Sequence, residues 1–268
     1  MQTGIGWRAL GAVAATLVVV VLAVPLAALL WRALEGGALG PALGSQLVAQ
    51  ALQLSLLTSA ASLTFALLCG TPLAYGLARW TFPGRGLVDA LVDVPVVLPP
   101  AVAGIALLMA FGRRGVLGAP LAEVGISLAF TPWAVVLAQC FVAAPFYVRA
   151  ARTGFAGVDR DLEGAARVDG ASPLAVFRHV TVPLALPSLL TGAVLCWARA
   201  LGEFGATIMF AGSFRGRTQT MPLAIYAALE SDLGATLALS TILVVVSVTM
   251  LAVARYVTRR SASEWRFW

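Results

Sequence analysis

The chain predicts an all-α fold: a polytopic membrane protein with about six transmembrane helices. Three observations carry this expectation: a composition stripped of charge, a series of long apolar runs, and arginines concentrated in alternate connectors. Hydrophobic residues fill 60% of the 268 positions and charged ones only 11%. A water-soluble domain carries about 25% charged residues, so the natural solvent of most of this surface is lipid.

A helix needs about 20 mainly apolar residues to cross a hydrocarbon core about 30 Å thick. Six runs meet that need, at about Ala9 to Leu30, Leu47 to Leu77, Val94 to Phe111, Leu128 to Val148, Leu184 to Phe210 and Leu233 to Val257. They are too long and too unalternating for barrel strands, and lipid leaves no other way to satisfy the backbone. In the first run, Arg8 precedes an apolar stretch longer than a signal core. Trp31-Arg32 follows it in place of small residues, so a retained anchor is expected. In the third run, Pro95, Leu98-Pro99-Pro100 and Gly104 predict a break or bend near its start.

Every basic residue is an arginine, and the net charge is +6. These arginines sit in connectors beside apolar runs, as topology signals do, which argues against a nucleic-acid partner. With the N-terminus inside, Arg8, Arg79, Arg85, Arg149, Arg152, Arg160, Arg167, Arg178, Arg255, Arg259, Arg260 and Arg266 face the cytoplasm. Arg32, Arg113, Arg114, Arg215 and Arg217 face outward, and Arg199 lies within a span. Twelve against five places both termini in the cytoplasm. Cys69, Cys140 and Cys196 lie far apart in apolar runs, without metal or disulfide spacing, and are expected as buried small hydrophobes.

One connector differs from the rest. Residues 149–183 hold five arginines and four acids, Asp159, Asp161, Glu163 and Asp169, and read as a docking surface. Within DRDLEGAARVDGASPLAVFRHVTVPLALP, Asp159 or Asp161 can cap a short helix through Ala165, Ala166 and Arg167. Gly170 stops it, and Ser172 caps a second helix with Pro173 in its first turn. Leu174, Val176, Phe177 and Val180 give that second helix an apolar face, and Pro183 is expected to end it. The product is a peg of two helices bent about a glycine. His179, the only histidine, reads as a surface or interface residue.

This segment resembles the EAA loop of ABC importer permeases: EAA, three residues, Gly, nine residues, an aliphatic residue, one more residue, then Leu-Pro. Ala165, Ala166 and Gly170 are in register, followed by Ala171, Ser172 and Pro173, and Val180 with Val182-Pro183 closes the pattern. Gly164 stands at the family's glutamate position and Glu163 one residue early, which leaves open whether Glu163 takes that acid's role. The resemblance covers roughly residues 48 to 256. VLPPAVAGIALLMAFGRRGVLG (Val97 to Gly118), RALGEFGATIMFAG (Arg199 to Gly212) and GRTQTMPLAIY (Gly216 to Tyr226) are similar to molybdate permease subunits.

The resemblance implies a type I ABC importer permease of a bacterial or archaeal inner membrane, moving molybdate or tungstate, with sulfate or thiosulfate as the alternative. It implies a second permease subunit (a homodimer), two cytoplasmic ATPase subunits and an extracytoplasmic oxyanion-binding protein. It divides the chain into an N-terminal transmembrane helix and periplasmic connector (1–46), a transport domain (47–257) containing the coupling loop (149–183), and a cytoplasmic tail (258–268). No GxxxxGK[ST] occurs, so ATP and Mg are expected on the partner ATPase, with no cofactor or catalytic residue here.

Within the fifth run, Arg199 and Glu203 are four apart, hence on one face of a helix. Two charges facing lipid would be costly, so they should point inward. Either they line a pore, with Arg199 offering positive potential to an anion, or they form a buried pair that fixes helix register. Gly202 and Gly205 are expected to permit close helix packing. Arg113 and Arg114 are either a contact for a binding protein or ordinary loop charges. An ion-coupled secondary transporter is the competing class; no inverted repeat or array of intramembrane polar groups supports it.

Overall fold

A computed structural model describes residues 3–37 and 39–264; the side chains of residues 3–6, 8, 9 and 257–264 are outside that description. Of the tail SASEWRFW, expected as interfacial aromatics and arginine, residues 265–268 lie outside the described residues, as do the side chains of Arg8, Arg259 and Arg260. The described residues are helical, with no strand among them. Five helices are long and apolar enough to cross a membrane, or six if one sharply bent pair counts as a span.

The first run becomes α1 (Thr3–Glu35), whose described apolar side chains mostly face outward, Ala33 excepted, and which packs chiefly against the last helix. A short α2 (Leu39–Leu43) occupies the connector. The second run is α3 (Gln46–Arg79), started by Ser45, whose hydroxyl accepts the Val48 N–H at 3.2 Å. Its buried face is a stripe of small residues: Ala51, Ser55, Ser59, Ser62, Ala66, Gly70 and Ala74. Such a stripe lets neighbouring helices approach closely where lipid supplies little driving force for association.

The third run is not one rod. α4 (Arg85–Val97) and α5 (Pro100–Phe111) meet at 120°. Pro99 and Pro100 withdraw two successive N–H donors, and the residue before a proline is pushed to extended backbone; Leu98 and Pro99 both show it, with ψ near 135°. The predicted break is present, and the run from Val94 to Phe111 crosses, if it does, as part of this bent pair and not as one straight helix: α5 alone reaches only about 18 Å. After a short α6 (Gly118–Glu123), the fourth run becomes α7 (Pro132–Ala156), capped by Thr131.

α7 runs past the expected end at Val148, so Arg149 and Arg152 are helical and the connector is shorter than 149–183. It comprises α8 (Arg160–Val168) and α9 (Pro173–Val176). A π-helical turn (Phe177–Thr181) then leads without a break into α10 (Val182–Leu201). The fifth run stops at Gly202 and resumes as α11 (Gly205–Ala211). α12 (Met221–Leu229) and α13 (Leu233–Glu264) complete the chain.

The core is α7 packed between α3 and α10, around Leu77, Tyr147, Phe155, Leu189 and Cys196. Polar cross-links tie it together: Trp197 Nε1 donates to Ser59 Oγ at 3.0 Å, and the Thr71 and Tyr147 hydroxyls share a bond of 2.6 Å. Ser55 Oγ accepts the Met221 N–H at 2.7 Å, which pins the start of α12 to α3. Cys140 and Cys196 are buried as expected, but Cys69 is exposed on the outer face of α3. That outer face is apolar in a membrane span, so a thiol fits there as well as in the core.

Candidate functional site

The peg forms from local chemistry. Asp159 Oδ1 accepts the Asp161 N–H at 2.9 Å and caps α8. At the other end the Gly170 N–H reaches Arg167 O and the Ala171 N–H reaches Ala166 O, both at 3.0 Å. That pair of bonds is a Schellman closure, and it requires a left-handed residue at Gly170, whose φ is +89°. Ser172 Oγ accepts the Ala175 N–H at 3.3 Å, with Pro173 in the first turn of α9.

Pro183 does not end the second helix. The turn ahead of it widens to π geometry, with the Val182 N–H bonded to Phe177 O. Pro183 then occupies the first turn of α10, where a missing N–H is tolerated. The peg is thus continuous with a span. The expected apolar face is also redistributed: Val176 is buried and Phe177 half-buried against Tyr75 and Phe155, whereas Leu174 is 72% exposed. With Leu162 and Val168 also exposed, Leu174 gives the charged peg an apolar outer surface. His179 is exposed, its Nδ1 3.0 Å from Ala175 O.

Glu163 is the buried residue of α8. Its Oε1 accepts from Arg79 Nη2 at 3.1 Å and from Thr181 Oγ1 at 2.6 Å. Arg79 Nη2 also donates to Val158 O at 2.9 Å, and both charged side chains are 8% exposed. One carboxylate thereby joins the peg to the end of α3 and to the π turn that opens α10. Gly164, in the family's glutamate position, carries no such contact and lines a neighbouring cavity with Glu163.

Sequence reasoning assigned Arg79 only a topological role and passed over Thr181. These partners stand 84 and 18 residues from Glu163, and nothing local marks them. A second set was legible but unread. Asp89 and Asp93 are four apart on α4, Arg149 and Arg152 three apart on α7, and each couple shares a helix face. Arg149 Nε meets Asp93 Oδ1 at 2.9 Å and Arg152 pairs with Asp89.

Farther along, Arg199 Nη1 lies 2.6 Å from Glu203 Oε2, and Glu203 is 1% exposed. The pair straddles the break between α10 and α11 instead of riding one continuous helix, because Glu203 Oε1 accepts the Ala206 N–H at 2.7 Å and starts the second helix. Gly202 terminates α10 and has no close neighbour outside it. Gly205 is packed tightly: a β-carbon there would lie 2.5 Å from Pro100 Cβ. Gly104 faces Ala206 and Met209 in the same way. α5 and α11 therefore run parallel and side by side, leaving Arg113-Arg114 and Arg215 to Arg217 beyond the same ends.

A bundle of spans with a two-helix peg emerging between two of its core helices is the architecture of ABC importer permeases. The structure matches a chain of a bacterial ABC transporter involved in importing the acidic polysaccharide alginate, with a TM-score of 0.75 over 95% of this chain and 96% of that one, at 16% identity. It also matches a chain of the MetNI methionine ABC transporter, with a TM-score of 0.61 over 80% and 96%, at 18% identity.

The chain belongs to the family of binding-protein-dependent transport system inner membrane components, whose model matches residues 66–263. Its relatives include the molybdenum transport system permease proteins ModB of Mycobacterium tuberculosis and of Escherichia coli. The first is 48% identical over 74% of this chain and 75% of the relative, the second 42% over 81% and 92%. The molybdate/tungstate transport system permease protein WtpB of Thermococcus kodakarensis is 41% identical over 73% and 74%.

Proposed function

We propose that this permease carries molybdate or tungstate across the membrane, driven by ATP hydrolysed in a separate chain. The observation that carries the cargo is identity of 40–48% to permeases of molybdenum systems across most of the chain. In this reading two copies enclose the pathway, two ATPase subunits hold ATP and Mg on the cytoplasmic side, and a binding protein delivers the oxyanion from outside. Both termini are cytoplasmic, as the arginine asymmetry favours.

The peg supports the coupling half of the reading. Its exposed Leu162, Val168 and Leu174 suit a groove on the ATPase. Glu163 passes displacement of α8 to α3 through Arg79, and the unbroken π turn passes it to α10. Closure of the ATPase dimer then tilts spans as rigid bodies. Arg199 serves packing in this scheme, since its charge is matched by Glu203.

The test is reconstitution of the chain with its ATPase and binding protein in proteoliposomes, loading molybdate, tungstate and sulfate separately. ATP-dependent uptake of the first two above sulfate is expected. Uptake by the chain alone, or sulfate loading that outruns both, would overturn the reading.

A further inference from the structure

Beneath α8, against the end of α3, lies a cavity of about 260 Å³ lined by Tyr75, Arg79, Trp80, Arg160, Glu163, Gly164 and Arg167. Arg160, Glu163, Gly164 and Arg167 sit three, four and seven residues apart, one face of one helix. Three guanidinium groups thus face a single carboxylate, and that carboxylate is already held by Arg79 and Thr181. Arg160 and Arg167 make no ion pair among the described residues. The buried Nε of Arg79 has no hydrogen-bond partner either. The cavity therefore carries two solvent-facing guanidinium groups without an ion pair and a spare buried donor, on a wall fixed by the Glu163 clamp.

Its position adds a second constraint. Arg79 is the last residue of a membrane-spanning helix, and exposed Trp80 follows it. An aromatic beside an arginine at a span's end marks the headgroup level, where basic pockets take lipid phosphates. Guanidinium forks fit tetrahedral oxyanions through paired charge-assisted bonds.

We propose that this cavity binds a phosphate-type oxyanion, supplied by an anionic phospholipid headgroup or by free phosphate. Binding there would stiffen the joint between the peg and α3.

The test uses the full chain in detergent micelles. Native mass spectrometry follows retention of phosphatidylglycerol against phosphatidylcholine, and thermal melts follow added inorganic phosphate. R160Q/R167Q removes the two free charges, and R178Q, an exposed arginine outside the cavity, is the control. Wild type should retain one phosphatidylglycerol, with binding about tenfold weaker per arginine removed and unaffected in R178Q. Should phosphate stabilise wild type but not R160Q/R167Q while phosphatidylglycerol shows no preference, the oxyanion is the soluble one. Equal behaviour of wild type and R160Q/R167Q toward both probes, or equal loss in R178Q, would overturn the proposal.

Discussion

Replacing Glu163 by alanine removes the one acidic partner of a guanidinium that the fold has taken out of water. Both side chains are 8% exposed, so Arg79 would keep its charge with only the Val158 carbonyl, 2.9 Å away, to answer it. Breaking one side of a buried pair costs about 3–5 kcal/mol. The surviving carbonyl bond argues for the lower end, about 3 kcal/mol, although loss of the Thr181 bond adds to it. At about 1.4 kcal/mol per factor of ten, local opening of α8 and the π turn should rise roughly hundredfold. Hydrogen exchange on the purified chain reads this directly: amides in 160–181 should lose about two orders of magnitude of protection while those in 50–70 stay unchanged. Glu163→Gln keeps an acceptor for Thr181 and should fall between. Protection in 160–181 within about threefold of wild type for Glu163→Ala would refute the clamp.

Gly170→Val forces a β-branched residue into a backbone with φ of +89°, at about 1–2 kcal/mol or more; ATP-driven uptake should fall about tenfold with membrane insertion intact, and normal uptake would count against the bent peg. Arg199→Gln strands a carboxylate that is 1% exposed, so R199Q and E203Q should each lower the unfolding temperature in detergent, while the double variant recovers about 1–3 kcal/mol of their sum. Strict additivity would reject the pairing. Gly104→Ala places a methyl 2.6 Å from Met209 Cβ and 2.7 Å from Ala206 O, and backbone cannot step aside. A loss of about 1–3 kcal/mol is expected in the same melts, against no loss for Gly11→Ala, which meets nothing within 4 Å.

What the amino-acid order revealed is what neighbouring residues decide. The caps at Asp159 and Ser172 and the left-handed stop at Gly170 are contests settled within three or four residues, so the start and the bend of the peg were legible. The break at Pro99-Pro100 was equally local. Pro183 misled because its effect depends on the turn before it: a π turn removes the conflict that would have ended an α-helix. The interruption at Gly202 escaped notice inside the apolar run Leu184 to Phe210. Hydropathy is blind to a side chain such as Glu203 capping a new helix within the same run. Glu163 was singled out, but Arg79 and Thr181 come to it through the packing of α3 and the path of the π turn, and no spacing encodes that.

Among the elements of this fold, α4 is fastened differently from the rest. Only Pro95 on it is buried; Val88 and Val92 pack half-buried against the core, and the rest of its hold on α7 comes from Asp89 and Asp93 against Arg149 and Arg152, all partly open to solvent. Pairs so exposed are worth about 0.2–1 kcal/mol each and weaken as electrolyte rises. The greased helices answer to temperature and lipid, while this one answers to ionic strength as well. Its four charges form a matched set, in which reversing one member repels and reversing both partners restores the fit.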